Sequence, residues 1–405
     1  MSRHVVILGA GITGALVAWR LARAGWRVTV VEARHVGAGS SSRTAAGIRQ
    51  QFSTRETVLG MRYSVDFYRR FREEVGGTIV PIVQSGYLFL YDKPDAWAVA
   101  QERVAMQQAL GLREVEGLAP AELERRFPYV ARGTLLGGTW CPTDGFLRPE
   151  AVYNDALAGA VALGAVVIQN APVIGATHDG AGRLTAVTTP RGTFAADLFV
   201  DATNAWSPRS GALLGATSLP VAPLKRYLWF IERAGSMGEA TLAGMPLIIA
   251  PSGAYCRPEN EGTLLAGYAH AARPEPAFSY EDQDAIEPAF FHKSGPDSMG
   301  YEAWAMLAEA LPPIGEFGGL VATTSGYYGS TPDHNPFLDL DPQVPNLIRL
   351  VGFSGHGAMF GPFSALVGAA LAEGGGRTVD ALGQQVDLAP FRIGRPFDGH
   401  EAMVI

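Results

Sequence analysis

Three glycines at fixed spacing, followed by an acid, are the residues with the clearest chemical meaning in this sequence. Gly9, Gly11 and Gly14 form a Gly-x-Gly-x-x-Gly turn, and Glu32 ends the next hydrophobic run. In such a turn the first glycine permits a tight bend and the second lets the backbone approach a pyrophosphate. The third allows a helix to pack closely on a strand. The turn predicts a dinucleotide site, in which Glu32 accepts hydrogen bonds from adenosine ribose hydroxyls.

Two strands and a helix must position this turn. The run His4–Leu8 precedes it, residues 15–24 are predicted to be helical, and Arg27–Val31 is predicted to be the second strand. A helix that begins at the turn directs free N–H groups and its positive dipole end at phosphates. A glycine-rich turn of some other α/β protein is the alternative, but strand, turn, helix, strand and acid in register favour the dinucleotide site.

A loop of small and hydroxyl residues follows the second strand and favours FAD over NAD. Residues 37–49 read Gly-Ala-Gly-Ser-Ser-Ser-Arg-Thr-Ala-Ala-Gly-Ile-Arg. NAD domains normally continue with an ordinary helix, whereas a small-residue loop suits close passage of a flavin along the backbone. A solvated Ser/Gly linker is the alternative. Because the loop runs directly into Gly-Ile-Arg and a helix, FAD is the predicted cofactor.

Composition limits the protein class. The chain has 405 residues, 47% hydrophobic and 18% charged, which predicts a globular protein of two domains. A net charge of −7 argues against a nucleic-acid surface. Its two cysteines, Cys141 and Cys256, are far apart, which fits a reducing compartment and predicts no metal site of the Cys-rich kind. Without a signal peptide or a long apolar run, the expected location is cytoplasmic, with no membrane span.

Four segments resemble the D-amino-acid oxidase superfamily of flavoproteins, most closely its sarcosine oxidase, glycine oxidase and sarcosine/dimethylglycine dehydrogenase branch. They are residues 39–52, 200–207 (VDATNAWS), 328–336 (YGSTPDHNP) and 352–357 (GFSGHG). The matches keep the family's order between residue 4 and about residue 372, so the resemblance covers nearly the whole chain.

The resemblance implies an α/β plus α+β fold, in which a Rossmann-type FAD-binding domain carries a second domain built on a largely antiparallel sheet over the flavin. Alternating hydrophobicity independently predicts strands at 86–90, 226–231, 254–258 and 263–267, and helices at 95–110 and 282–310. The expected division is a discontinuous FAD-binding domain, a substrate domain and a C-terminal tail. The FAD-binding domain comprises residues 1–80, 146–215 and 322–378. The substrate domain comprises residues 81–145 and 216–321, and the tail comprises residues 379–405.

The glycine turn and the resemblance together assign a set of FAD contacts. The set is Gly9, Ala10, Gly11, Ile12, Thr13, Gly14, Glu32, Ala33, Arg34, Ser41, Ser42, Arg43, Ala46, Gly47, Ile48, Val173, Ala202, Thr203, Trp206, Gly326, Gly352, Phe353, Ser354, Gly355, His356 and Gly357. A strand, this last glycine turn and a predicted helix at 359–372 form a second helix N-terminus. The resemblance implies that it lies at the flavin, where it would favour the negative charge gained on reduction.

The resemblance implies oxidation of an amine carbon–nitrogen bond to an imine by hydride transfer to the flavin. The protein must then hold the substrate carboxylate, and an arginine fork does this best. Arg49 is the first candidate by alignment, and Arg226 is the second. Tyr255 and Tyr328 are candidates for the pocket wall, and His356 for a flavin or substrate contact; a histidine bonded only to backbone is the alternative.

Departures from the family pattern refine this expectation. The positions at which relatives attach flavin covalently are Thr44 and Gly326, so FAD is expected to be non-covalent. Leu265 aligns with the lysine that promotes reaction with oxygen, which favours a dehydrogenase slightly over an oxidase. Met359 aligns with a second carboxylate ligand, so sarcosine itself is in doubt as the substrate.

The expected partners are a small amine, either N-alkylated or D-configured, and an electron acceptor that is oxygen or another redox partner. Two alternatives stay open: a tailoring enzyme for a bulkier secondary-metabolite amine, and a flavin-bound subunit or assembly protein of a larger complex. The identity of the amine and the oligomeric state are not predicted.

Overall fold

The computed structural model describes residues 3–77, 79–232, 242, 244–260, 262–269, 298–316 and 319–404. The strands within these residues are β1 His4–Leu8, β2 Arg27–Val31, β3 Gly47–Ile48, β4 Ile82–Val83, β5 Tyr87–Tyr91, β6 Glu116–Leu118, β7 Gly137–Cys141, β8 Gly145–Leu147, β9 Val166–Ile168, β10 Gly175–His178, β11 Leu184–Thr189, β12 Gly192–Ala195, β13 Leu198–Asp201, β14 Ala222–Glu232, β15 Leu247–Ile249, β16 Tyr255–Asn260, β17 Thr263–Gly267, β18 Gly319–Ser330, β19 Phe337–Leu340, β20 Leu347–Val351, β21 Thr378–Ala381 and β22 Gln384–Asp387.

The helices lie between these strands. They are α1 Ile12–Arg23, α2 Arg55–Arg69, α3 Phe71–Glu74, α4 Pro94–Ala109, α5 Pro120–Arg126, α6 Pro149–Ala162, α7 Ser207–Leu213, α8 Met299–Ala310 and α9 Gly357–Ala372, with short 3-10 helices at Ser40–Ser42, Asn204–Trp206, Pro312–Glu316 and Ala389–Phe391.

The first sheet has the strand order β19-β20-β13-β1-β2-β9, and its pairs are parallel except β19 with β20. All five residues of β1 are buried, as expected for a central parallel strand covered on both faces. Each fully buried Val or Ile stabilises the fold by about 1.5–3 kcal/mol. Because β1 is central, the turn that follows it lies at the carboxyl edge of the sheet, where doubly wound folds bind ligands.

Helix α1 covers one face of this sheet, and ten of its twelve residues are buried. It packs between α6 and α9 within one large apolar cluster. The small antiparallel sheet β10-β11-β12 covers the opposite face through Leu184 and Val187, which pack against Val6 and Phe199. Both faces of the sheet are thereby closed, and the glycine turn is fixed at its edge.

The second sheet has the order β18-β14-β17-β16-β15-β5-β7-β6, and its pairs are antiparallel except β15 with β5. In β14 the side chains alternate, so Lys225, Tyr227 and Trp229 share one face while Arg226 and Leu228 share the other. This alternation decides which residues of the strand reach the cavity described below.

The structure confirms the predicted fold class and most predicted elements. Helix α1 starts at Ile12 and not at 15, because the turn residues Thr13 and Gly14 already form its first turn. Helix α8 begins at Met299, and residues 282–297 of the predicted helix lie outside the described residues. The domain division stays a prediction; its boundary at 322 falls inside β18, a strand of the second sheet.

Among the residues described, no helix is both long and apolar enough to cross a bilayer.

Candidate active site

The glycine turn has the backbone geometry that its residue types predict. Gly9 has φ +99°, a conformation that side chains other than glycine rarely adopt. A Cβ at Gly14 would lie 2.0 Å from the carbonyl oxygen of Gly9, so only glycine allows α1 to start this close to β1. A Cβ at Gly11 would lie 2.7 Å from Ser41 Oγ. The turn is therefore a cradle from which side chains are excluded.

Glu32 lies buried at the end of β2 and holds the turn in place. Its Oε2 accepts a hydrogen bond from the Ala10 N–H at 2.8 Å, and its Oε1 accepts one from the Arg34 N–H at 3.0 Å. Burial raises the pKa of Glu32, and the bonds from Arg34 and Ala10 oppose that rise. Each carboxylate oxygen keeps acceptor capacity for a further donor such as a ribose hydroxyl.

The loop after β2 is fastened on both sides. Ser41 Oγ accepts the Ile12 N–H at 3.0 Å, at the N-terminus of α1, and Ser40 Oγ donates to the Tyr327 carbonyl at 2.5 Å in the second sheet. Gly39 lies against Trp206, because a Cβ there would be 3.1 Å from the indole ring. The loop is thus an ordered wall of the site, and the linker alternative is wrong.

Asn204 joins two turns that are far apart in sequence. It adopts φ +48°, a left-handed conformation that asparagine tolerates better than most residues with a side chain. Its Oδ1 accepts the N–H groups of Gly352 and Phe353 at 3.2 and 3.1 Å. This contact positions the turn before α9 beside the end of β13.

These segments enclose a cavity of about 400 Å³ that extends from Glu32 to the face of the second sheet. The predicted residues that line it are Gly9, Gly11, Ile12, Thr13, Glu32, Ala33, Ser41, Arg43, Val173, Ala202, Thr203, Trp206, Arg226, Tyr255, Gly326, Tyr328, Phe353, Gly355 and Gly357. Both helix N-termini, of α1 and of α9, open into it. The donor-rich cradle at one end and the small-residue loop along its length fit FAD.

A smaller cavity of about 40 Å³ adjoins the first near α9. It shares Thr44, Tyr255, Tyr328 and Gly355 with the larger cavity. The predicted residues Ala46, Gly47 and His356 line it, together with Met359, Tyr87 and Leu247. Three tyrosines and a histidine line it beside small and apolar residues, so it offers a small substrate both apolar and hydrogen-bonding contacts.

Several predicted residues do not line either cavity. Ala10 and Arg34 contribute through their bonds to Glu32, and Gly14 contributes through packing. The others are Ser42, Ile48, Arg49, Gly352 and Ser354. Sequence reasoning did not single out Tyr87 and Leu247, which pair across β5 and β15 although 160 positions separate them. It also missed Arg209, which lines the larger cavity.

Arg226 and two tyrosines form a polar group on the wall of the larger cavity. The Arg226 guanidinium lies 5.5 Å from the Tyr328 ring centre, and its Nη1 donates to the Lys225 carbonyl at 3.1 Å. Its Nε is buried without a hydrogen-bond partner among the described residues. A hydrogen bond joins the hydroxyls of Tyr255 and Tyr328, and burial raises the pKa of both, so both stay protonated.

Arg49 lies behind the cavity wall and is fully buried. Its guanidinium donates to the carbonyl oxygens of Gln51 and Met403. The rings of Phe52 and Phe89 lie 3.9 and 5.3 Å from it. Burial lowers the pKa of Arg49. These partners occupy both Nη groups, and Arg49 lines neither cavity whereas Arg226 lines the larger one, so the geometry ranks Arg49 behind Arg226 as the carboxylate holder.

His356 receives a hydrogen bond from Arg49. Arg49 Nη2 lies 3.3 Å from His356 Nε2, and since a guanidinium only donates, Nε2 must accept. Burial, with the Arg49 charge, holds the pKa of His356 well below its usual value. The imidazole is therefore neutral with its proton on Nδ1, which is buried without a partner among the described residues.

A buried carboxylate completes this region. Asp144 Oδ1 accepts the Gln50 N–H at 2.9 Å and Gln50 Nε2 at 3.0 Å, and Oδ2 accepts Gln51 Nε2 at 3.2 Å. Burial raises the pKa of Asp144 to about 6 although these bonds and the Arg49 charge oppose the rise. Arg49 and Asp144 thus place a buried cation and a buried acid beside the smaller cavity.

The positions linked to covalent flavin attachment carry no nucleophile suited to that chemistry. Thr44 and Gly326 both line the larger cavity. The Thr44 hydroxyl accepts the Ala46 N–H at 3.0 Å, and a Cβ at Gly326 would lie 2.9 Å from the Arg43 carbonyl oxygen. These residues fit a non-covalent FAD.

Comparisons with known proteins agree with this site. Residues 4–371 match the family described as FAD dependent oxidoreductase, abbreviated DAO. The FAD-dependent oxidoreductase domain-containing protein 1 of Xenopus laevis is 29% identical, over 96% of this chain and 82% of that protein. The glycine oxidase of Geobacillus kaustophilus is 26% identical, over 96% of each chain.

Among solved structures, the L-proline dehydrogenase from P. horikoshii superposes with a TM-score of 0.80 at 25% identity, over 96% of this chain and 97% of that one. The cradle, the ordered loop and the family match agree on the cofactor. This chain belongs to the DAO family of FAD-dependent oxidoreductases.

Proposed function

We propose that this protein uses FAD to oxidise the carbon–nitrogen bond of a small amino acid to an imine. The substrate class is a carboxylate-bearing amine that is either N-alkylated or D-configured. The observation that carries the proposal is the group formed by Arg226, Tyr255 and Tyr328 on the wall of the cavity that fits FAD. When bound, FAD supplies the acceptor for the hydride of the substrate carbon.

Arg226 holds the substrate carboxylate in this proposal. Its Nε lacks a partner among the described residues, and a planar guanidinium binds a carboxylate through two parallel hydrogen bonds. Tyr255 donates its hydroxyl proton to Tyr328 on the same wall, so the Tyr328 hydroxyl, which stays protonated, is the one that donates to the carboxylate as well. This arrangement orients the amine-bearing carbon without an acid–base triad.

His356 does not serve as the base that removes a proton from the substrate ammonium group. Its Nε2 accepts from Arg49 and is unavailable as a base, so the substrate amine must enter in its neutral form. The Nδ1–H group is a donor beside the smaller cavity. Because that cavity is only about 40 Å³, the proposal favours a small substituent and disfavours the bulkier metabolite amine.

The electron acceptor is proposed to be a redox partner other than oxygen. Leu265 is buried on β17 and packs with Tyr255 and Leu228. It offers no positive charge to stabilise superoxide near the flavin, in contrast to a lysine at this position.

Anaerobic titration of the purified flavoprotein with sarcosine, dimethylglycine, L-proline, glycine and D-alanine tests this function. We expect at least one of them to bleach the visible flavin absorbance, and a dye to reoxidise the reduced protein faster than oxygen does. If no amine reduces the flavin, the proposed function is wrong. Fast reoxidation by oxygen would overturn only the choice of acceptor.

Replacing Arg226 tests the carboxylate holder. Arg226→Met removes the charged hydrogen bonds, worth about 1.5–3 kcal/mol, so the dissociation constant for acetate should rise about 10- to 100-fold. Binding is measured from the perturbation of the flavin spectrum, and Arg226→Lys should retain part of the affinity.

Arg183→Met, on an exposed hairpin, is the matched control and should bind acetate like the wild type. Unchanged acetate binding by Arg226→Met would return the role to Arg49.

A further inference from the structure

We infer that the C-terminal segment, residues 395–403, positions the active site by holding Arg49 and, through it, His356. Three anchors fasten this segment to regions that are distant in sequence, and the last of them contacts the catalytic region directly. The inference rests on the proposed function for its meaning, but its test does not depend on turnover.

The first anchor is a buried ion pair. Arg395 Nε lies 2.6 Å from Asp333 Oδ2, and Arg395 Nη2 donates to Asp333 Oδ1 at 2.8 Å. Further guanidinium hydrogen bonds reach the carbonyls of Asn335 and Pro336. Both charged side chains are almost fully buried, so this two-point contact fixes where the segment begins.

The second anchor is Glu401, which caps helix α2 from outside that helix. Its carboxylate accepts the N–H and hydroxyl of Ser53 at 2.9 and 2.6 Å, and the N–H and hydroxyl of Thr54 at 3.2 and 3.1 Å. Thr54 occupies the N-cap position but makes no capping bond with its own side chain. A buried carboxylate at this end of a helix is favoured by the helix dipole.

The third anchor is Met403. Its carbonyl oxygen accepts a hydrogen bond from Arg49 Nη2, the same nitrogen that contacts His356 Nε2. Its side chain packs with Tyr87, Leu247 and Tyr255, which line the smaller cavity. Glu401 Oε1 also accepts the Met403 N–H at 2.9 Å, so Glu401 fixes the position of the Met403 backbone.

These contacts make Glu401 and Met403 positioning residues. If the segment leaves, Arg49 loses a carbonyl partner while its charge stays buried, and the guanidinium must turn or take up water. His356 then loses the donor that fixes its tautomer. The polar character of the substrate side of the cavity would change although no residue that touches FAD has been replaced.

Nitrogen-15 NMR of histidine-labelled protein reads this coupling directly. In wild type, His356 should be neutral with its proton on Nδ1; comparison with His356→Asn identifies its signals. In Glu401→Ala, we expect a mixture of tautomers or a charged ring, and at least about tenfold faster hydrogen exchange at the Ser53 and Thr54 amides. Asp398→Ala, exposed in the same segment, should change neither signal.

An unchanged His356 tautomer in Glu401→Ala, with fast exchange at Ser53 and Thr54, would overturn the inference, because the segment would have been released without effect. If Glu401→Ala does not fold, Glu401→Gln, which keeps one acceptor oxygen, undergoes the same measurements with the same criteria. Because no substrate is present, failure here leaves the amine titration unaffected, and failure of the titration leaves this result standing.

Discussion

The two ends of the large cavity are built in different ways. At the adenosine end, Gly9, Gly14 and Glu32 act mostly through backbone geometry and bonds to N–H groups, within one βαβ unit. At the substrate end, Arg226, Tyr328 and His356 come from separate strands and turns, and buried charges lie behind them. The first end depends on local shape, and the second depends on long-range packing and electrostatics.

The largest effect is expected at the adenosine end. Gly14→Ala places a Cβ 2.0 Å from the Gly9 carbonyl oxygen, so α1 must move away from the phosphate position. Overpacking of this kind costs about 1–3 kcal/mol, and the dissociation constant for FAD should rise by up to about 100-fold. Fluorescence titration of the apoprotein with FAD measures the change.

Gly180→Ala is the control for this change, because a Cβ there meets no atom within 4 Å. If Gly14→Ala binds FAD with wild-type affinity, the turn tolerates a side chain, and the adenosine end does not depend on local shape in the way described.

An intermediate effect is expected from the buried charge at the substrate end. The folded state raises the pKa of Asp144 to about 6, so it binds this proton more tightly than the unfolded chain does. The resulting stability is fully present below the unfolded pKa of about 4 and is lost as the pH rises through about 6. Asp144→Asn removes this pH dependence.

The measurement is urea unfolding of wild type and Asp144→Asn at several pH values. Relative to the variant, the wild type should lose up to about 1.4 kcal/mol of unfolding free energy per pH unit between about pH 4 and 6. Asp398→Asn, exposed, should follow the wild type. If the unfolding free energies of wild type and Asp144→Asn change with pH in parallel, the folded state does not raise the pKa of Asp144.

The smallest effect is expected from Ser41, which joins the loop to α1. Ser41→Ala removes the acceptor of the Ile12 N–H and should cost about 1 kcal/mol, or about fivefold in FAD affinity. Ser42→Ala, next in sequence but outside both cavity walls, should bind FAD like the wild type in the same titration. Equal losses in both variants would mean that loop flexibility, and not this bond, matters.

Sequence alone was sufficient for the Rossmann-type half of the fold. The strands β1 and β2 match their predicted bounds, and the glycine turn has the backbone form that its residues require. The order of Arg49 and Arg226 as carboxylate holders could not be predicted. Arg49 directly follows the short strand β3 and Arg226 lies within β14, and only packing shows that Arg49 is enclosed by carbonyls and rings.

The amino-acid sequence by itself determined the dinucleotide turn, the FAD loop and the fold class, because steric limits at glycine and hydrophobic periodicity act between neighbours in the chain. Tertiary structure alone decided which side chains face the substrate, the tautomer of His356 and the place of residues 395–403 in the site. Arg49 and Met403 are 354 positions apart, and no local pattern encodes a hydrogen bond between them. Such contacts form only when the packed core brings their elements together.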